Sequence, residues 1–218
     1  MRKMTGEEFS SKTEFFDRMV RTCWLSELHE KLMDKSGDWR GKKVLDIGCG
    51  TGRLLFRGSR DAVLLAGIDL SPAMITKAEM LTPAARKNQY SFKVADAYEL
   101  PYKENEFDLS LSTCVIFLLP DPRKALLEMA RVTKEGGKSC LLNPGIAMDP
   151  AAAAHYASRQ HFNDEEKSFL EAWADVSPRR HRFEEAAFSR LLFDIGAEEV
   201  EQERALDGLA LLTTIIWQ

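Results

Sequence analysis

The chain has 218 residues, 44% apolar and 29% charged, the size and balance of one globular domain with a full core, which excludes a fibre or a disordered tail. Its formal net charge is −4, from 30 basic and 34 acidic residues, so it lacks the basic footprint that a phosphate backbone demands, and nucleic acid is not an expected partner. No apolar run approaches a membrane span, and residues 1–12 carry no apolar stretch after their basic residues, so a cytoplasmic chain without a signal peptide is expected.

In chain order, Phe16, Val20, Cys23, Trp24, Leu28 and Leu32 recur at steps of three and four and predict one N-terminal helix. "KSGDWRGK" breaks it at Gly37 and Gly41. "KVLDIG" is a short apolar run and predicts a buried strand. "TGRLLFRGS" predicts a short helix, "AVLLAGIDL" a second strand, and "SPAMITKAEML" a helix with Ser71 as N-cap and Pro72 at its first position. "YSFKVADA" and "FDLSLSTCV" predict the third and fourth strands. "DPRKALLEMARVTKEGG" predicts a helix capped by Asp121 and stopped by Gly136 and Gly137, and "KSCLLNP" a fifth strand. Residues 145–183 predict a helical insertion. "FEEAAFSRLLFDIGAEEV" predicts a helix closed by Gly196. "EEVEQERAL" and "GLALLTTIIWQ", separated by a turn at Asp207 and Gly208, predict an antiparallel hairpin.

This alternation predicts an α/β fold with a mostly parallel sheet and helices on both faces. Such sheets bind ligands at the carboxyl ends of their strands. The four cysteines, Cys23, Cys49, Cys114 and Cys140, have neither zinc-site nor CxxC spacing, so free thiols and no metal are expected. The dense basic segment "PRRHR", residues 178–182, reads either as a solvated loop before a helix or as a clamp for an anionic substrate.

The first strand ends in "VLDIGCGTGRL", with Gly48, Gly50 and Gly52 at alternate positions and Asp46 two residues earlier. Glycines there let the backbone approach a ligand with no Cβ in the way. The dinucleotide fingerprint GxGxxG fails, because Arg53 stands where its third glycine should be. The second strand ends at Asp69 and the third at Asp96 and Ala97. A carboxylate such as Asp69 can accept both ribose hydroxyls of a nucleoside.

The acid followed by GxGxG, "GIDLSPAMI", "VADAYELPYKENEFDLSLS" and "FLLPDPRKALLEMARVTKEGG" together resemble the class I S-adenosylmethionine-dependent methyltransferases, in particular their small-molecule subgroup, which includes quinone-ring and sterol methylases. The resemblance covers residues 43–143. It implies a Rossmann-like seven-stranded sheet ending in an antiparallel hairpin. It also implies S-adenosyl-L-methionine as cofactor, S-adenosyl-L-homocysteine as product, and methyl transfer by in-line displacement. Carried over residue by residue, Asp46, Gly48, Gly50 and Gly52 line the methionine end. Asp69 holds the ribose and Leu70 packs on adenine. Asp96 and Ala97 read the adenine edge, and the backbone at Thr113 faces the amino group.

Relatives commonly carry histidines just before "LPDP", where this chain has Phe117 and Leu118. A proton acceptor would therefore come from elsewhere, and the insertion offers His155, Tyr156 and His161 as candidates. Trp173 and Met148 would shape an apolar pocket, with Asn143 and Pro144 bordering it. Residues 1–218 then form one domain. Within it, 1–40 is an N-terminal helical lid, 43–143 the cofactor half, 145–183 the substrate insertion and 184–218 a helix plus hairpin. Cys114 follows Thr113 and reads as packing rather than as a nucleophile. Two other readings are an NAD-dependent oxidoreductase and a non-catalytic S-adenosylmethionine-binding module. Oxygen, nitrogen, sulfur and carbon acceptors all occur on this fold, so neither the small-molecule acceptor nor the oligomeric state is encoded in these motifs.

Overall fold

Strand β1 (Lys43–Ile47) is buried at four of its five positions, as an apolar run covered on both faces should be. In this computed structural model, which describes residues 1–58 and 61–218, β1 lies parallel between β2 (Leu64–Asp69) and β4 (Phe107–Thr113). Strand β3 (Tyr90–Val94) extends the parallel sheet beyond β2, and β5 (Thr133–Pro144) extends it beyond β4. Strand β7 (Ala210–Trp217) runs antiparallel to β5, and β6 (Ala197–Ala205) antiparallel to β7. The described residues thus form one seven-stranded sheet, ordered β3-β2-β1-β4-β5-β7-β6. The order reverses between β1 and β4, and the crevice at the carboxyl ends of such a switch point is where open α/β sheets hold ligands.

Around the sheet stand α4 (Arg53–Arg57), α5 (Pro72–Leu81), α6 (Pro122–Val132) and α9 (Glu185–Phe193). Ser71 and Asp121 cap α5 and α6 through their side chains, each followed by proline. The insertion is helical, with α7 (Pro150–Ser158) and α8 (Asp164–Val176). No described helix is long and apolar enough to cross a membrane.

Element boundaries differ from expectation, most tellingly in the helices. The single N-terminal helix is broken into α1 (Gly6–Ser10), α2 (Thr13–Met19) and α3 (Cys23–Ser36). Thr22 is extended, and its hydroxyl donates to Met19 O (2.8 Å) while accepting from Leu25 N. One side chain therefore closes one helix and opens the next. Helix α6 stops at Val132 rather than at the glycines. Thr133 turns extended there, its hydroxyl bonding Met129 O and pairing with Ser110 Oγ, both at 2.7 Å. Helix α4 is shorter than the predicted segment, whose last residue, Ser59, lies outside the described residues.

Helices α3 and α8 are joined into one wall. Glu166 accepts from Cys23 N (2.9 Å), Trp24 Nε1 donates to Glu166 O (3.1 Å), and the rings of Trp24 and Trp173 stack 5.7 Å apart. This wall faces the carboxyl ends of β1 and β4 across a cavity.

Candidate functional site

The glycine loop begins where β1 ends. Gly48, Gly50 and Gly52 all have left-handed φ, at 78°, 53° and 78°, a region glycine enters without steric cost. A Cβ at Gly48 would lie 2.2 Å from Val115 Cγ2, so that position is closed to any side chain. At Gly50 nothing lies within 4 Å of such an atom, so the backbone is open to a ligand there. The amides of Gly48 and Cys49 both donate to Ile68 O, at 2.7 and 2.8 Å, and Gly50 N donates to Asp69 Oδ2 at 3.0 Å. The loop is thereby pinned to the end of β2.

Asp46 and Asp69 lie beneath this loop. Asp46 is 1% exposed and its Oδ1 has no hydrogen-bond partner. Burial, with the Asp69 charge adding to it, pushes its carboxyl up to about 8. Burial also raises Asp69, against the opposing amides of Ser71, Gly50 and Leu70. An orphaned buried carboxyl beside an open glycine backbone fits a ligand that brings positive charge and N–H donors. Asp96 accepts from Tyr98 N at 2.9 Å and pairs with the Lys3 ammonium.

Asp46, Gly48, Gly50, Asp69, Leu70, Asp96, Ala97 and Thr113 all line a single cavity of about 610 Å³, within the usual range of ligand pockets. Gly52 does not line it. It starts α4 in the left-handed conformation, and a Cβ there would come 3.0 Å from the rings of Phe56 and Phe92. Its glycine is required by backbone and packing. Cys114 also lines the cavity, with φ 58°, but burial pushes its thiol up to about 12, which makes it a poor nucleophile.

The N-terminal helices close the cavity from above. Asp17 on α2 is buried and accepts from Thr51 Oγ1 (2.6 Å), Arg53 Nε (2.9 Å) and Arg53 Nη2 (3.1 Å), with Lys77 at 3.4 Å. Burial alone would raise its pKa, but the Arg53 and Thr51 hydrogen bonds and the Lys77 charge outweigh burial and hold it at about 2. Arg53, the residue that breaks the dinucleotide fingerprint, thus ties α2 to the loop. A Cβ on Gly6 would sit 2.3 Å from Leu70 O, so α1 rests directly on the β2 end. Arg180 of the basic segment also lines the cavity and donates to Arg2 O at 3.0 Å. Phe117 and Leu118 make an apolar floor, and Trp173 and Val176 of α8 line the same space.

The three proton-acceptor candidates do not meet there. His155 and His161 are exposed. Tyr156 packs 6.0 Å from the Phe162 ring and lines a separate cleft of about 520 Å³ beside Phe183 and Leu206. The cause is helix phase. Ala153 and Ala157 are the buried positions of α7, which leaves His155 on the opposite side. Met148 is buried in the core, and neither it nor Asn143 and Pro144 reaches the cavity. Sequence reasoning missed His29, which is 2% exposed and lines the cavity from α3. The available signal was a histidine inside the stripe of Leu25, Leu28 and Leu32.

Asp46 and His29 give the protein an opposed pH dependence. Burial lowers His29 to about 3, with Arg57 adding to the effect. Its stabilising contribution is present above its unfolded pKa, about 6.5, and is lost as pH falls toward the folded value. Asp46 is raised, so its contribution is present below about pH 4 and is lost as pH rises toward about 8. The two oppose each other at mildly acid pH, which leaves about pH 6.5 to 8 to Asp46. Thermal melting is expected to fall across that window, and Asp46→Asn is expected to reduce the fall. A wild-type melting temperature that stays level would contradict the raised carboxyl.

Comparison with known proteins agrees with this architecture. A family model described as "Methyltransferase domain" matches residues 45–141. The chain is 30% identical over 148 residues to aklanonic acid methyltransferase DauC of a Streptomyces species, covering 66% of each chain. It is 37% identical over 134 residues to the ubiquinone/menaquinone biosynthesis C-methyltransferase UbiE of Bdellovibrio bacteriovorus, covering 58% of this chain and 54% of that one. The matches therefore span about half to 66% of these relatives' own length. A crystal structure of a SAM-dependent methyltransferase from Aquifex aeolicus shares the fold, with TM-score 0.65 at 17% identity over 94% of this chain and 97% of that one. The sheet order and the ligand crevice define an open α/β cofactor-binding fold. Within it, the chain belongs to the class I S-adenosylmethionine-dependent methyltransferases, whose cofactor is S-adenosyl-L-methionine.

Proposed function

We propose that this protein transfers a methyl group from S-adenosyl-L-methionine to a small, largely apolar acceptor. The observation that carries this reading is the single cavity. One half is walled by the strand-end acids and the glycine loop, the other by Phe117, Leu118, Trp173 and the N-terminal helices. When bound, the cofactor supplies an electrophilic methyl on a sulfonium with a good leaving group. The chain's own contribution is to hold donor and acceptor close, aligned and shielded from water.

In this reading Asp69 accepts the ribose hydroxyls and Leu70 packs on the adenine. Asp96 and Ala97 take the adenine edge, where one N–H donor replaces the Lys3 ammonium. Asp46, Gly48, Gly50 and the Thr113 backbone receive the methionine end. Gly52 shapes the loop. Residues 1–218 act as one domain, with 1–40 and 145–183 roofing the acceptor half. The two curated relatives are named for aklanonic acid and for ubiquinone and menaquinone biosynthesis, and an organic acceptor of that kind suits an apolar floor. The test is acceptor-dependent formation of S-adenosylhomocysteine across a panel of apolar ring compounds. Formation above an Asp69→Asn control supports methyl transfer. A protein that binds the cofactor yet gives no acceptor-dependent product would be a binding module instead.

A further inference from the structure

The cations that line the cavity are Arg2, Lys3, Lys12, Arg53 and Arg180. Arg2 pairs with Glu8, Lys3 with Asp96 and Arg53 with Asp17. Among the described residues, Lys12 and Arg180 have no carboxylate within ion-pair distance. Lys12 is exposed, so water solvates its ammonium, whereas Arg180 is half-buried. The place of Arg180 is fixed from two sides. His181 N donates to Phe117 O at 3.1 Å, which holds the backbone of the basic segment against the apolar floor. Arg180 Nη1 donates to Arg2 O at 3.0 Å and reaches Leu118 O at 3.5 Å. Both carbonyls meet the same nitrogen. Among the described residues, Nε and Nη2 donate to nothing, so one edge of the guanidinium fork is unused. Its neighbours do not share this setting. Arg179 is exposed, and Arg182 donates to Ile146 O at 3.2 Å, away from the residues that line the cavity.

The chemistry of the group restricts what can satisfy it. A guanidinium stays protonated at any physiological pH. Carbonyl oxygens accept its hydrogen bonds but bring no charge, and a cation beside an apolar floor is best compensated by an anion. The edge formed by Nε and Nη2 matches two coplanar acceptor oxygens. A carboxylate has that shape and a single charge. A phosphate monoester carries about two negative charges, and Arg180 alone would leave part of them uncompensated against Phe117 and Leu118. An alcohol or an amide brings no charge.

We propose that Arg180 anchors a carboxylate on an otherwise apolar, ring-sized methyl acceptor, through Nε and Nη2 beside the Phe117–Leu118 floor. The inference rests on the methyl-transfer reading for calling this ligand the acceptor, but the guanidinium and its setting stand without it. Arg180 is then a specificity-determining residue. It selects acids over their neutral analogues, and its bidentate pair orients the ring. The two readings of the basic segment divide within it: Arg180 follows the anion clamp and Arg179 the solvated loop.

The test uses 2-naphthoate as probe, its uncharged isostere 2-naphthamide as control, and 2-naphthyl phosphate as the rival anion. Binding is measured calorimetrically with and without saturating S-adenosylhomocysteine. Wild-type protein is expected to bind naphthoate at least tenfold more tightly than naphthamide, and more tightly than naphthyl phosphate. Arg180→Gln keeps a polar side chain and removes the charge. It is expected to cut the preference for naphthoate over naphthamide to twofold or less, with S-adenosylhomocysteine affinity within twofold of wild type. Lys12→Gln is expected to keep the preference. In wild type, the ¹⁵Nε resonance of Arg180 is expected to move on addition of naphthoate and not of naphthamide. That measurement decides the matter even where a variant fails to fold. A wild type without the preference, an Arg180→Gln protein that retains it, a Lys12→Gln protein that loses it, tighter binding of naphthyl phosphate, or an unmoved Arg180 resonance would overturn the inference and leave the methyl-transfer reading intact. Failure of wild type to bind S-adenosylhomocysteine would overturn that reading, and the naphthoate preference measured without it would still judge the anchor.

Discussion

Asp69→Asn is expected to weaken S-adenosylhomocysteine binding by about 3 kcal/mol, on the order of 150-fold. The carboxylate is half-buried at the end of β2 and already accepts from Gly50 N through Oδ2 and from Ser71 N through Oδ1. Hydrogen bonds to charged groups contribute about 1.5–3 kcal/mol each, and two ribose hydroxyls would share this acceptor. Asparagine replaces one oxygen with an NH₂ group. That group would face a backbone N–H or a ribose hydroxyl that needs an acceptor. The substitution is nearly isosteric, so the effect reports hydrogen bonding rather than lost volume. Titration calorimetry on the folded variant measures it. Affinity equal to wild type would remove Asp69 from the cofactor site.

The second large effect concerns the N-terminal helix α2. Asp17→Ala is expected to destabilise the protein by about 3 kcal/mol, because breaking a buried ion pair leaves its partners uncompensated. The cost falls at the low end of the usual range. Arg53 and Lys77 have side chains 29% and 26% exposed, so both can turn partly to water. For a domain of this length the expected fall in melting temperature is about 6–12 °C. Thr51 and Arg53 belong to the glycine loop and α4, while Asp17 belongs to α2. The loss therefore reaches the glycine-loop end of the cavity. A double-mutant cycle with Arg53→Ala isolates the pair from the packing of each side chain. A drop below about 3 °C, or additivity of the two substitutions, would show that Asp17 does not anchor α2 to the glycine loop.

The parallel half of the fold was legible because its signals are local and agree with each other. Ser71-Pro72 and Asp121-Pro122 start α5 and α6 as the capping chemistry requires. The short spacing between the last two strands allowed only an antiparallel pair, and β6 and β7 form one. What the sequence concealed depends on tertiary contacts. Thr22 splits the N-terminal helix because its hydroxyl serves two helices at once, which an apolar repeat across residues 16–32 cannot display. Thr133 ends α6 by bonding to Ser110 on another element. The strand-end acids were legible as a set because parallel topology brings successive strand ends together. The opposite wall of the cavity was not, because α3 and α8 meet across 143 residues of sequence through Glu166 and Cys23. Helix phase placed His155 outside and His29 inside, and only the packed structure decides that phase.

The central claim is that the cavity at the β1–β4 switch point is built for S-adenosylmethionine. Its most direct test is a thermal-shift comparison of S-adenosylhomocysteine with NAD on the wild-type protein. At 100 times its dissociation constant, a ligand that binds only the folded state adds about 2.7 kcal/mol of stability. S-adenosylhomocysteine is expected to raise the melting temperature by several degrees, with the increment lost in Asp69→Asn. NAD is expected to leave it unchanged, since Arg53 occupies the third-glycine position and is bound to Asp17. Stabilisation by NAD and none by S-adenosylhomocysteine would contradict the account.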